Sequence, residues 1–236
     1  MCAVFGILGD YASSTARAAL SAMAHRGPDY CGIVEQERLF FAHNRLAIRD
    51  LHERAHQPLR HGNILLGFNG EIYNHQEIAD TLGLKEATEA ETVLAAYLAW
   101  GIGCVQRFRG MFALAVYDNG TLYLARDRLG KKPLFFARQK ERFVFASEIK
   151  GILPFLPTVR MNDDALMSYL SFLAPVAPYT FFEGIEKLAP GEIVTFKDGK
   201  ISREAYYSLL DASVPLDDAL APKRLEAVDP TSRRQI

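Results

Sequence analysis

Runs of apolar residues, broken by turn residues and by helix-like spacing, divide this chain into short strands and a few helices. Apolar runs predict strands over residues 3–8, 64–68, 111–117, 122–125, 134–137, 143–146 and 193–196. Apolar residues at helical spacing predict helices over residues 14–25, 89–100 and 162–173. The pattern indicates a protein that mixes helices with a strand-rich middle.

Turn and capping residues mark several of the element ends. The pair Asn69-Gly70 predicts a turn that ends the strand over 64–68, and residues 118–120 predict the turn of a hairpin. Gly101 is placed to end the helix over 89–100, and Asn162 is a good N-cap for the helix over 162–173.

The composition describes one large domain with a tail. Of 236 residues, 49% are hydrophobic, which allows a sizeable core over residues 1–210. Residues 211–236 contain several prolines, many charges and little periodicity, which predicts a linker or flexible tail.

Charge and hydropathy argue against several classes of partner. The net charge of -1 provides no reason to expect nucleic acid or an anionic membrane. No apolar run approaches the roughly 20 residues that span a bilayer, and the first residues do not resemble a signal peptide. Cys2, Cys31 and Cys104 are too few and too scattered for a disulfide framework or a zinc site. We therefore expect a cytoplasmic protein with reduced thiols.

Cys2 follows the initiator methionine directly, and this position has chemical consequences. Removal of Met1 would give one residue both a thiol and a free α-amine. The amine titrates near pH ~8, so it can act as a base toward the thiol. A nucleophile with an adjacent base can perform covalent acyl transfer. A cysteine at position two has no function in most proteins, so other residues must support this role.

Three polar segments lie between predicted strands, at residues 25–29, 42–48 and 68–75. Each has a structural explanation when taken alone. The first could be a turn, Arg45 in the second could be a surface charge, and Asn69-Gly70 in the third is a common hairpin pair. Their occurrence together with an N-terminal cysteine is a more specific indication of a functional site than any one segment alone.

The chain from residue 2 to about 207 resembles the glutaminase domain of class II glutamine amidotransferases, and within that class the asparagine synthetase B family. The matching segments, in chain order, are MCAVFG (1–6), HRGPD (25–29), AHNRLAI (42–48), QPL (57–59), NGEIYN (69–74), RGMFA (109–113), RDRLG (126–130), ASEIK (146–150) and LAPG (188–191). These enzymes are N-terminal nucleophile hydrolases. The resemblance implies an α+β fold, a four-layer αββα sandwich of two antiparallel sheets, with Cys2 at the start of a central strand.

The resemblance also assigns roles to residues of this chain. Cys2 would attack the side-chain amide of L-glutamine, with its own α-amine moving the protons. The Asn69 side chain and the Gly70 backbone N–H would stabilise the oxyanion. Arg45 would bind the α-carboxylate of glutamine, and Arg26 would be a structural residue near the nucleophile.

Two carboxylates complete the implied substrate site. Glu71 would lie near the α-amino end of glutamine. Relatives usually have an aspartate, in a Ser-Asp-x-Glu segment, that binds the substrate ammonium, and Glu89 stands at that position here. The extra methylene adds a reach of ~1.5 Å. We expect Glu89 still to bind the ammonium, and Glu89→Asp to leave glutamine turnover equal or better.

The implied partners extend beyond this domain. Glutamine hydrolysis needs no cofactor or metal. The asparagine synthetase family carries a second, ATP- and Mg-dependent amidating domain, whose Ser-Gly-Gly-x-Asp-Ser loop does not occur in this sequence. The chain is then a stand-alone glutaminase subunit or part of a longer asparagine synthetase, and it could form a homodimer.

Two other functions remain open at this stage. The domain could be a catalytically idle glutamine sensor or assembly module, which the retention of Cys2, Arg45, Asn69 and Gly70 disfavours. It could also be an N-terminal nucleophile hydrolase that acts on another amide.

Two further groups of residues have structural explanations. The segment 130–133 (GKKP) lacks the earlier glycine and the following Ser or Thr of a phosphate loop, and the resemblance makes it a strand-turn segment. His43, His61 and His75 do not have metal-ligand spacing.

Overall fold

A computed structural model describes residues 1–208 and arranges them as two six-stranded antiparallel sheets with flanking helices. The first sheet contains, in spatial order, β10 (Glu186–Lys187), β8 (Phe135–Gln139), β9 (Arg142–Ala146), β1 (Ala3–Leu8), β3 (Leu39–Arg45) and β2 (Tyr30–Gln36). The second contains β12 (Lys200–Ala205), β11 (Glu192–Lys197), β7 (Thr121–Arg126), β6 (Gly110–Asp118), β5 (Ile64–Ile72) and β4 (Leu59–His61). The helices are α1 (Ser13–Ser21), α2 (His75–Thr81), α3 (Glu89–Trp100) and α4 (Asp163–Phe172).

The alternation of side chains along the central strands builds the layers. In β6, Ala113 and Ala115 join the core between the sheets, whereas Phe112 and Leu114 pack on the other face against α2 and α3. In β1, Val4 enters the core between the sheets, and its neighbours pack toward α1. Successive residues of a strand point to opposite faces, so strands that are apolar throughout serve two cores. The predicted four-layer αββα sandwich is confirmed.

The strand predictions agree with the structure in most places. All seven predicted runs overlap β1, β5, β6, β7, β8, β9 and β11, and residues 118–120 lie at the β6–β7 turn. Among the described elements, the strands β2, β3, β4, β10 and β12 and the helix α2 were not predicted. Most of these are short or partly exposed, but β3 is buried along its whole length. Segment 42–48, expected to lie between strands, instead begins inside β3, because residues 42–44 pair with both β1 and β2 and Arg45 pairs with β2.

The predicted turn at Asn69-Gly70 is wrong. β5 continues through both residues to Ile72, with Asn69 opposite Ala113 and Gly70 opposite Phe112. The pairing with β6 overrides the local turn preference. A Cβ at position 70 would lie 2.2 Å from the Met111 carbonyl oxygen, so the glycine permits close strand contact.

The helix ends follow local capping chemistry with one exception. The Asn162 side chain caps α4, and Gly101 with φ 60° follows the last residue of α3, as expected. The helix predicted over 14–25 instead ends at Ser21, and a separate 3-10 turn spans Ala24–Arg26. This break allows Arg26 to turn inward, where it is buried.

Two further sequence expectations concern the C-terminal tail and membrane-spanning helices. The tail predicted over 211–236 lies outside the described residues. Within residues 1–208, no helix has both the length and the apolar character needed to cross a bilayer.

Candidate active site

Cys2 immediately precedes β1, which lies between β9 and β3 near the middle of the first sheet. Its thiol is half-buried, and Sγ lies 3.4 Å from the Leu46 backbone N and 3.7 Å from the Leu46 carbonyl oxygen. Val4 donates its N–H to Ser147 Oγ at 3.0 Å, and Ser147 returns its own N–H to the Val4 carbonyl. The start of β1, directly after the nucleophile, is therefore fixed to Ser147.

A partly buried ion pair anchors the backbone of Cys2. Arg26 donates from Nε to the Cys2 carbonyl at 3.0 Å and from a terminal nitrogen to Glu148 at 3.0 Å. Partial burial acts to raise the pKa of Glu148, but hydrogen bonds from Lys150, Arg26 and His25 lower it to about 2. Glu148 thus stays ionised at neutral pH and fixes Arg26, as expected for a structural arginine.

The outer edge of β5 presents three backbone N–H groups in sequence. Phe68 N–H donates to Gln57 Oε1 at 2.6 Å, and Ile72 N–H donates to Glu89 Oε1. Alternate residues of a strand send their N–H groups to the same edge. Gly70, midway between these two, therefore points its N–H to that edge, into the cavity that Gln57 and Glu89 line.

The Asn69 side chain points to the opposite face from Phe68, which packs on the helix side of the second sheet. Asn69 consequently faces the first sheet, where Cys2 lies. Its Nδ2 is buried and has no hydrogen-bond partner within the described residues. Because an unpaired buried donor costs about 1–3 kcal/mol, such a group indicates a missing acceptor.

A histidine joins the two sheets beside this strand. His43 of β3 is fully buried, and its Nε2 donates to the Phe68 carbonyl at 3.1 Å. Burial is the main reason that the pKa of His43 falls to about 4. The neutral ring thereby holds the β5 segment that carries Asn69 against β3.

All six sequence-predicted site residues line one cavity of about 290 Å³ between the two sheets' ends. They are Cys2, Arg45, Asn69, Gly70, Glu71 and Glu89. The polar atoms of a cysteine, an arginine, two carboxylates and two donors on β5 therefore converge on one space. The volume matches the lower range of small-molecule sites.

Arg45 ends β3 and is buried at the cavity wall. Its guanidinium donates to the carbonyl oxygens of His52, at 3.2 Å, and of Asp50. These backbone contacts hold the planar fork in place, so that its remaining N–H groups can bind a carboxylate in the cavity.

The two carboxylates differ in their surroundings. Glu71 lies 3.4 Å from Arg49 in an ion pair. Glu89 is the first residue of α3, whose N-cap Thr88 forms a capping box with Glu91. Desolvation raises the pKa of Glu89, while the Ile72 N–H and Arg49 act in the opposite direction. A bound cation would stabilise the ionised form of Glu89.

The other thiols are poorly suited to attack a substrate. Burial raises the pKa of Cys104 to about 12 and also raises that of Cys31. Within the described residues, no group of three His, Cys, Asp or Glu side chains could hold a metal ion.

Sequence reasoning missed several cavity residues. Gln57, Arg49, His75 and Lys132 also line the cavity. Gln57 and Lys132 lie in segments that resemble the family, but polar residues in loops give no periodic signal that would place them beside Cys2. The structure brings Lys132 there because Asp127 binds the backbone N–H groups of its loop.

Comparison with protein-family models finds one match, described as a glutamine amidotransferase domain, over residues 1–207. The match covers every strand, helix and cavity residue described above.

Curated relatives are named as asparagine synthetases. The chain is 32% identical over 225 residues to the putative asparagine synthetase [glutamine-hydrolyzing] 2 of Methanocaldococcus jannaschii, covering 84% of this chain and 44% of that protein. It is 34% identical over 174 residues to asparagine synthetase B of Escherichia coli, covering 68% of this chain and 31% of that protein. The chain therefore spans less than half the length of these relatives.

Among solved structures, the glutamine phosphoribosylpyrophosphate amidotransferase of Bacillus subtilis shares the fold. The TM-score is 0.63 at 18% identity, over 87% of this chain and 49% of that one.

Proposed function

Because the chain belongs to the class II glutamine amidotransferase domain family, we propose that it hydrolyses L-glutamine to glutamate and ammonia through a thioester on Cys2. The relatives named above are described as glutamine-hydrolysing. The reaction uses side chains and backbone groups of this domain and needs no cofactor.

In the proposed reaction, the α-amine of Cys2, free after removal of Met1, takes the thiol proton. Sγ then attacks the side-chain amide carbon of glutamine, and the carbonyl oxygen becomes an oxyanion. The amine returns the proton to the leaving nitrogen, and ammonia departs. Water hydrolyses the γ-glutamyl thioester and regenerates the thiol.

One observation carries this proposal: two donors on β5 are directed to the cavity that contains Cys2. Asn69 Nδ2 is buried and unpaired within residues 1–208, and strand geometry directs the Gly70 N–H to the same cavity. A preorganised pair of donors is what a tetrahedral oxyanion requires, and loss of one typically costs ~3–4 kcal/mol.

The charged residues of the cavity fit the two ends of an amino acid. Arg45 would bind the α-carboxylate, and Glu71 with Glu89 would bind the α-ammonium. This arrangement favours glutamine over an amide that lacks an amino-acid head.

The test compares Cys2→Ala with Cys31→Ala, since Cys31 is an exposed cysteine outside the cavity. We expect Cys2→Ala to abolish release of glutamate and ammonia, and Cys31→Ala to retain it. Hydroxylamine should trap γ-glutamyl hydroxamate from the Cys31→Ala protein only.

The intact mass of the purified protein shows whether Met1 has been removed, and this provides a second test of the mechanism. Protein that turns over glutamine while keeping Met1 would contradict the α-amine mechanism. Absence of turnover in protein lacking Met1, together with measurable glutamine binding, would favour the sensor alternative. Assays with a panel of other amides test the alternative that the protein hydrolyses a different amide.

We further propose that the ammonia passes to an ATP- and Mg-dependent amidating domain, in the same polypeptide or in a partner subunit. The length of the relatives supports such a domain. The surface of α4 and its C-cap also supports an amidating partner. Four apolar residues there are each more than 60% exposed: Met167, Leu170, Phe172 and Leu173. No charged residue occurs over 165–179, and an uncharged, exposed apolar surface is typical of an interface.

The full gene product, with its amidating partner, tests this step with amide-¹⁵N-glutamine, MgATP and aspartate. We expect ¹⁵N-asparagine, and we expect Leu170→Glu to reduce it while hydrolysis of glutamine continues. Leu98→Glu, at an exposed leucine of α3, is the matched control. If the wild type hydrolyses glutamine but forms no ¹⁵N-asparagine, the result would indicate that the ammonia goes to an acceptor other than aspartate.

A further inference from the structure

Lys132 has an unusual environment for a lysine. Only 8% of its surface is exposed, and it lines the same cavity as Cys2. The one contact that Nζ makes within the described residues is with Met1 Sδ, at 3.7 Å. A thioether is a weak acceptor, so it compensates little for burial of a charge.

The remaining charged residues of the cavity have other partners. Arg49 pairs with Glu71, Arg45 donates to backbone carbonyls, and Glu89 accepts the Ile72 N–H. Arg26, which contacts the Cys2 carbonyl, pairs with Glu148. Besides Cys2 itself, the charged or titratable groups that line the cavity are Arg45, Arg49, Asp50, Glu71, His75, Glu89 and Lys132. Within residues 1–208, Lys132 thus lines the cavity of Cys2 without a carboxylate partner.

The backbone of Lys132 is fixed independently of its side chain. Its N–H donates to Asp127 Oδ2 at 2.9 Å, and its carbonyl accepts from Arg126 Nε at 2.7 Å. The same aspartate binds the N–H groups of Leu129 and Lys131. The loop therefore keeps its shape whatever side chain stands at position 132.

Removal of Met1 takes away the thioether and creates a new neighbour. About five covalent bonds join Met1 Sδ to the backbone nitrogen of Cys2, so the freed α-amine lies within about 10 Å of the Lys132 ammonium. Charges at this separation interact in a partly buried cavity, where salt screens them little.

We propose that Lys132 is a positioning residue that acts by charge: its ammonium disfavours protonation of the Cys2 α-amine and keeps it a free base. The proposal rests on the proposed glutaminase reaction. A nearby like charge lowers the pKa of an amine. An α-amine with its ordinary pKa near ~8 is mostly protonated at pH 7 and cannot accept the thiol proton.

The test compares Lys132→Met with Lys131→Met, because Lys131 is the adjacent lysine and is exposed. We expect Lys132→Met to move the acid limb of the kcat/KM profile for glutamine upward by about one pH unit. Activity at pH 6 should fall about tenfold, with little change at pH 9. Lys131→Met should keep the wild-type profile, and Lys132→Arg should restore it.

A second measurement does not depend on glutamine turnover. The rate of reductive methylation of the N-terminal amine, followed by peptide mass against pH, reports the free-base fraction directly. We expect its midpoint to rise in Lys132→Met only.

The outcomes separate the two proposals. An unshifted profile and an unshifted methylation midpoint in Lys132→Met, with an active wild type, overturn the role of Lys132. An equal loss of activity at every pH also overturns it, since that result indicates a purely structural role. A wild-type protein that lacks Met1 and hydrolyses no glutamine overturns the proposed function instead, while the methylation midpoints still test Lys132.

Discussion

Glu89 binds the strand edge as well as facing the cavity. Its Oε1 accepts the Ile72 N–H at the end of β5, so the longer side chain connects α3 to the strand that carries Asn69 and Gly70. An aspartate would not reach as far. The hydrogen bond therefore changes the expectation that Glu89→Asp leaves turnover equal or better.

We expect Glu89→Gln to raise the KM for glutamine at least tenfold, because the amide keeps the size and the acceptor but removes the charge that would bind the ammonium. Glu89→Asp keeps the charge and loses the Ile72 contact, so its KM should rise only severalfold. Steady-state kinetics at pH 8 provide the comparison. An unchanged KM in Glu89→Gln would exclude Glu89 from ammonium binding.

At the scale of elements, β5 organises the site. The strand passes two residues with strong turn preference because β6 supplies a partner along its whole length. Its inner face carries Asn69, and its outer edge carries the N–H groups that Gln57 and Glu89 bind on either side of Gly70. A turn at Asn69-Gly70 would have separated the two proposed oxyanion donors.

In helix α3, by contrast, local sequence signals define the element, and pairing with distant residues does not override them. Thr88 and Glu91 cap each other's backbone groups, and Glu89 stands in the first turn, where a carboxylate is favourable. The helix was predicted with its observed ends from apolar spacing and Gly101, which are likewise local signals. Its cap also fixes where Glu89 enters the cavity.

At the scale of the whole molecule, the two sheets are joined beside the active site by a neutral histidine. His43 of β3 contacts the Phe68 carbonyl of β5, and burial lowers its pKa to about 4. The unfolded chain protonates histidine near pH ~6.5. Between these values the unfolded state binds more protons, so stability falls as pH decreases from 6.5 toward 4.

Urea unfolding at pH 6.5 and pH 5 tests this linkage in wild type, His43→Gln and His61→Gln. His61 is an exposed histidine on β4 and serves as the control. We expect the acid-induced loss of unfolding free energy to be about 2 kcal/mol smaller in His43→Gln than in wild type. His61→Gln should behave as wild type. Equal losses in all three proteins would contradict a buried, neutral His43.

The ordered motifs of the sequence, through the family resemblance, determined the class of fold and proposed the six candidate site residues, and apolar spacing with terminal residues located α3 and α4, because all of these are local features of the chain. The sequence by itself could not determine the path of β5, the break after α1 or the position of Lys132. Those depend on strand pairing, on burial and on contacts between residues far apart in the chain. Cys2 precedes a strand of the first sheet and Asn69 lies in the second, so only the packing of one sheet on the other brings them to one cavity.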